Sequence, residues 1–108
     1  MRELTKTENL QDIIEQEKLL IVQFGSQLCG PCFALKHKID LWNESHPQVK
    51  SIYVQAEDFR EVAAGFGVFT VPAILVFAEG RVTIRESGYF GLEDILSKIE
   101  RYIEIMDL

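Results

Sequence analysis

The chain has 108 residues, 47% of them apolar and 26% charged, with a net charge of −6. That is enough for one globular domain over residues 1–108 and too little for two, and the negative charge argues against nucleic acid or anionic membrane as a partner. Met1-Arg2-Glu3-Leu4-Thr5-Lys6 leads into no apolar signal segment and no run reaches membrane-spanning length, so a cytoplasmic location is expected, where paired cysteines point to catalysis or metal binding.

Arg2 to Thr5 reads as a short edge strand, and Thr7 as the N-cap of a helix carrying Leu10, Ile13 and Ile14 at helical spacing. The run Leu19-Leu20-Ile21-Val22-Gln23-Phe24 is apolar almost throughout, as expected of a central strand covered on both faces. A second helix is expected from about Pro31 to Ser45, with Leu35, Ile39 and Trp42 inward and His46-Pro47 as its stop. Ile52-Tyr53-Val54 is the next strand; joined to the first through a helix, it predicts parallel pairing and a right-handed crossover. Asp58 reads as the cap of a short third helix, with Glu61 at the capping-box position and Phe59, Val62, Ala63 and Phe66 inward.

Pro72 then precedes a second buried strand, Ala73 to Ala78, and Glu79-Gly80 turns the chain into Arg81-Val82-Thr83-Ile84-Arg85. The alternation of that last segment predicts an antiparallel strand with one buried face. Leu92, Ile95, Leu96, Ile99, Tyr102 and Ile103 form the apolar stripe of a C-terminal helix. The expected class is α/β: a mixed sheet of four to five strands with helices on both faces.

The only two cysteines of the chain stand three apart, as Cys29-Gly30-Pro31-Cys32, between the first buried strand and the second helix. Two cysteines placed at random fall at that spacing about 2% of the time, and requiring Gly-Pro between them at ordinary usage leaves about 6 in 100,000; chance is a poor explanation. Proline suits the first helical position, which puts Cys29 at the helix N-terminus, where free amides and the macrodipole favour a thiolate. Lowering a cysteine pKa from about 8.5 to about 7 raises the thiolate fraction at pH 7 from roughly 3% to half. Cys32, one turn on, is placed to attack a mixed disulfide formed at Cys29. Zinc is the rival for such a pair, but it wants four ligands. There is no second pair, and His37 and His46 are the only histidines.

Cys-Gly-Pro-Cys after a buried strand, Val71-Pro72 before a second one, and Gly88 after the last strand together resemble the thioredoxin family over nearly the whole chain. The resemblance implies a thioredoxin fold and a thiol–disulfide oxidoreductase needing no cofactor, which reduces protein disulfides and contributes to cell redox homeostasis. It implies Cys29 as nucleophile and Cys32 as resolving thiol. It also implies a cis Val71–Pro72 bond, a Val71 backbone offered to an extended substrate chain, and a close-approach surface of Leu28, Gly30, Pro31, Val71, Pro72, Gly88 and Tyr89. Expected partners are protein disulfides and a thioredoxin reductase or other dithiol donor, with the protein acting as a monomer.

Several positions depart from the family pattern. Gln23 and Tyr53 stand where thioredoxins commonly carry a buried Asp and its Lys partner, and Leu28 stands where Trp is usual. His37 replaces a helix-kinking proline and predicts a straighter second helix. One alternative function is a binding module of the same fold, or a redox sensor, with little catalytic turnover; another is zinc-mediated dimerisation, which would show as bound metal and twice the monomer mass.

Overall fold

The apolar runs form strands whose pairing sets the architecture, described for all 108 residues by a computed structural model. In chain order the elements are β1 (Arg2–Glu3), α1 (Leu10–Gln16), β2 (Leu19–Gly25), α2 (Gly30–Glu44), β3 (Lys50–Gln55), α3 (Arg60–Gly65), β4 (Ala73–Ala78), β5 (Arg81–Ser87) and α4 (Leu92–Ile105). The five strands make one mixed sheet in the order β1-β3-β2-β4-β5. β3 is parallel to both β1 and β2, as the helical crossover requires, while β4 runs antiparallel to β2 and β5 to β4.

β2 is central, buried along its whole length. Its side chains alternate between two cores. Leu20, Val22 and Phe24 pack with Ile14 of α1 and Ala63 of α3, whereas Leu19 and Ile21 pack with Ile39 of α2 and with Ile95 and Ile99 of α4. Leu35 and Trp42 of α2, and Leu92, Leu96, Tyr102 and Ile103 of α4, lie partly buried against this second core. α2 runs uninterrupted through His37 and ends at Glu44, where the Asn43 amide donates to the carbonyls of His46 and Val49 and fixes the exit of the chain.

Three local expectations are corrected. α1 starts at Leu10, capped not by Thr7 but by Asn9, whose side chain accepts from the Asp12 amide at 3.0 Å. Glu8 holds the preceding residues as a turn by accepting from the Thr5 amide and hydroxyl, so the helix has no earlier start. The Arg2 guanidinium also donates to Glu8, and these bonds hold its carboxyl down at about 2. α3 begins at Arg60 with Phe59 as its cap residue and no side-chain cap; Asp58 and Phe59 donate instead into turns, to the carbonyls of Gln55 and Ala56.

β5 does not bury one regular face. Thr83 is an extra residue in the ladder, since Val76 pairs with Ile84 while Phe77 pairs with Val82. The bulge puts Ile84 beside Val76 on the α2/α4 face and Val82 beside Phe77 on the other. Ile84 is therefore buried, whereas Val82 is left 43% exposed at the sheet edge.

At the end of β2 the backbone comes against a large side chain. A Cβ on Gly25 would lie 1.9 Å from the Tyr53 hydroxyl and 2.5 Å from Cζ of the same ring, so the phenol fills the space a side chain here would need. Gly25→Ala is expected to cost about 1–3 kcal/mol by overpacking, read from urea unfolding, and a Tyr53→Val background should shrink that cost. An equal cost in both backgrounds would show that the contact with Tyr53 is not its cause.

Candidate functional site

The site is assembled at one end of the sheet. β2 ends there at Gly25 and β3 at Gln55, β4 begins there at Ala73, and β5 arrives at Ser87. The loop leaving β2 carries the cysteines, and antiparallel pairing of Phe24 with Ala73 brings the segment Val71-Pro72 to the same end. The Val71–Pro72 bond is cis. The Gly88 amide donates to the Pro72 carbonyl at 2.9 Å, and Gly88 has φ 76°, a conformation open to glycine at no steric cost.

Cys29 caps α2, with Pro31 in the first turn, and its Sγ accepts from the Cys32 amide at 3.2 Å. The two cysteines form a disulfide, with S–S 2.13 Å and Cα atoms 5.2 Å apart. Their environments differ. Cys29 is half-buried at the helix end, whereas Cys32 is fully buried, its carbonyl accepting from the Gln23 side-chain amide at 2.9 Å.

Gln23 and Tyr53 are register partners on neighbouring parallel strands, both buried, and neither the Gln23 Oε1 nor the Tyr53 hydroxyl has a hydrogen-bond partner within the protein. Burial pushes the Tyr53 phenol pKa up, and the carboxylates of Glu3 and Glu57 push it further. Neutral residues thus stand beneath the buried cysteine where a charged pair would otherwise be enclosed.

The loop before Cys29 has an anchor that sequence reasoning missed. The Ser26 hydroxyl donates to Glu57 Oε2 at 2.8 Å, and the Gln27 amide donates to the same oxygen at 3.4 Å. Ser26 in turn accepts from the Leu28 amide on its hydroxyl and from the Cys29 amide on its carbonyl. Nothing in the local sequence links Ser26 to a residue 31 positions away; only the β2–β3 pairing brings them together. The Ser26 hydroxyl above all, then the Gln27 amide and Arg60, hold the Glu57 carboxyl below its ordinary range.

Around this loop the side chains are exposed and apolar. Leu28 is 96% exposed, Tyr89 fully so, and Gly30 and Pro31 face solvent. Phe69, 81% exposed, was not singled out from sequence. With Ala56, Glu57, Arg60, Ala63 and Val71 it lines a cleft between α3 and the chain leading to Pro72. Its only signal was an aromatic residue in the short link between α3 and β4. His46 is engaged elsewhere, stacked on Trp42 with Nδ1 2.9 Å from the Trp42 carbonyl. No three His, Cys, Asp or Glu side chains converge as a metal site, and no helix is long and apolar enough to cross a membrane.

The thioredoxin family profile matches residues 1–101. The chain belongs to the thioredoxin family. It is 28% identical to the thioredoxin-like protein YdfQ of Bacillus subtilis, over 99% of this chain and 98% of that one. It is 30% identical to thioredoxin C-2 of Corynebacterium nephridii, over 78% of this chain and 80% of that one. Among solved structures, the thioredoxin of Fasciola hepatica superposes with a TM-score of 0.82 at 27% identity, covering 94% of this chain and 98% of the other. The five-stranded mixed sheet with four helices is thus the α/β thioredoxin fold. Family, fold and a Cys-x-x-Cys pair at disulfide distance support a thiol–disulfide oxidoreductase.

Two measurements follow from this geometry. In the reduced protein, iodoacetamide near neutral pH should alkylate Cys29 far faster than Cys32, because only Cys29 combines access with the helix N-terminus; comparable rates would contradict the difference in environment. For Glu57, a depressed folded pKa means that its contribution to stability is present above the ordinary value of 4.5 and lost as pH falls through the folded value. The Gln27 amide shift should accordingly titrate with a midpoint below 4.5, and Glu57→Gln should abolish that titration.

Proposed function

We propose that the protein reduces protein disulfides through a dithiol–disulfide cycle at Cys29 and Cys32. The observation that carries this reading is the asymmetry of the pair: one sulfur half-buried at a helix N-terminus, the other fully enclosed one turn on. The Cys29 thiolate attacks one sulfur of a substrate disulfide. A Cys29–substrate bond forms, and the electron pair of the broken bond leaves on the other substrate sulfur, which takes a proton. Cys32 then loses its proton and attacks Cys29 Sγ, forming the Cys29–Cys32 bond and releasing the second substrate thiol. Each turnover oxidises the dithiol, so a thioredoxin reductase or another dithiol donor must return two electrons.

The substrate chain would lie along Val71-Pro72 and Gly88, where backbone is accessible, with Leu28 and Tyr89 offering apolar contact and Gly30 and Pro31 leaving the approach to Cys29 clear. Such a reductase would serve cell redox homeostasis in the cytoplasm and act as a monomer. Dithiothreitol-driven reduction of insulin should be accelerated well above the rate with dithiothreitol alone, and Cys29→Ser should abolish the acceleration. No acceleration by the native protein would favour the alternative, a binding module or redox sensor with little turnover. The neutral Gln23 beneath Cys32 is the observation on that side.

Gln23 bears on the second half of the cycle. An amide has no useful basicity near neutral pH, so nothing at this position accepts the Cys32 proton, whose departure burial already opposes. Gln23→Asp should speed mixed-disulfide resolution near pH 7–8, by about tenfold given that a base acting through water falls short of full general-base catalysis; rapid-quench kinetics read the step. The same variant should lose about 3 kcal/mol, since the amide bond to the Cys32 carbonyl goes and Tyr53 offers no cation. Burial raises that carboxyl pKa in the folded state, so the loss grows as pH rises above the unfolded carboxylate value. Resolution left unchanged or slowed would remove Gln23 as the limiting feature.

A further inference from the structure

Three buried side-chain polar atoms have no hydrogen-bond partner in the protein: Gln23 Oε1, the Tyr53 hydroxyl and Gln55 Oε1. Natural structures seldom leave such groups unpaired, and here all three fall in one place. Gln23 pairs in register with Tyr53, and Gly25 with Gln55. Strand alternation puts Gln23, Tyr53 and Gln55 on the α2 side of the sheet, opposite Val22, Ile52 and Val54. The orphaned atoms thus share one patch beneath the first turn of α2.

Each atom's role there is defined. Gln23 Nε2 is committed to the Cys32 carbonyl at 2.9 Å, which leaves the oxygen of the same amide beside that turn as a free acceptor. The Tyr53 hydroxyl reaches over Gly25, 1.9 Å from where a Cβ would stand, so it occupies the space next along the strand from Gln23. Residues two apart on a strand are about 6.6 Å apart, a gap that one or two waters bridge. The patch holds two acceptors and one hydroxyl that can both donate and accept, which is the complement a small water cluster needs.

We propose that Gln23, Tyr53 and Gln55 hold a water cluster beneath the first turn of α2, and that the Tyr53 hydroxyl relays through it the proton Cys32 gives up on resolution. The proposal rests on the dithiol–disulfide cycle above. The Cys32 proton passes to a cluster water; Tyr53 accepts a proton at its oxygen while giving its own to the next water, which passes one on to bulk solvent, and the phenol ends unchanged. The freed Cys32 thiolate attacks Cys29 Sγ, the Cys29–substrate bond breaks, and its electron pair leaves on the substrate sulfur. Tyr53 acts through water and is a positioning residue. The charged groups facing it are Glu3 on β1, Glu57 after β3, and Lys36 on α2, whose Nζ is 5.8 Å from the ring centroid.

Stopped-flow oxidation of the reduced protein by Ellman's reagent separates the steps, because one coloured thiolate is released when Cys29 attacks and a second when Cys32 resolves. Tyr53→Phe keeps the ring and removes the hydroxyl, and it should slow the second release by about tenfold near pH 7 while sparing the first. The slowing should fade as the pH is raised, because hydroxide can take the Cys32 proton without the relay, and the solvent deuterium isotope effect on the second release should fall. Gln55→Leu, which leaves the phenol in place, should slow the same phase and decides the matter should Tyr53→Phe fail to fold. A second phase matching the wild type in the folded variants overturns the proposal, as does a slowing independent of pH, which would mark a structural role. A wild type that releases no second thiolate instead strikes the dithiol cycle itself.

Discussion

A strand paired on both edges and covered on both faces has no water to satisfy its polar side chains, so each must find a partner in the protein or in enclosed solvent. β2 is such a strand, and Gln23 is its one polar side chain. The bond from Gln23 to the Cys32 carbonyl answers half of that demand and ties the first turn of α2 to the middle of the sheet. The Cys29–Cys32 pair is therefore anchored on the paired sheet. The fully paired strand holds the amide, the amide holds the buried cysteine, and the helix end presents the other cysteine to solvent.

Gln23, Gly25 and Tyr53 behave as one unit in this light. The phenol needs the space that the missing side chain of Gly25 leaves. With Gln23 and Tyr53 both uncharged, the interior beneath Cys32 is neutral, where a lone ion would be costly to bury. The same unit joins the two halves of the site, because β3 continues from Tyr53 to Gln55 and then to Glu57, whose carboxylate fixes the loop before Cys29. Tyr53 thus stands beneath Cys32 on the same strand that leads to the anchor of the loop before Cys29.

Much of this was legible in the sequence because the signals were long or chemically specific. Continuous apolar runs marked β2 and β4, the spaced stripe marked α4, and Cys29-Gly30-Pro31-Cys32 marked the start of a helix. What escaped lies where pairing overrides local pattern. The α1 cap fell to Asn9 because Glu8 had already claimed the residues before it. The alternation of β5 was broken by a bulge at Thr83, which composition does not announce. Glu57, Gln55 and Phe69 carry no motif, and they enter the site only because the ends of β2, β3 and β4 meet.

That bulge also has a consequence for how the sheet meets other chains. An open sheet has two unpaired margins, each a template on which a foreign strand could grow. Here one margin is only Arg2 and Glu3, too short and too charged to seed a ladder. The other is bent at Thr83 and set with Arg81, Arg85 and Glu86, so its register is interrupted midway and its side chains repel a flat neighbour. Both margins thus carry devices that discourage sheet extension, a short charged strand on one side and a bulged, charged one on the other.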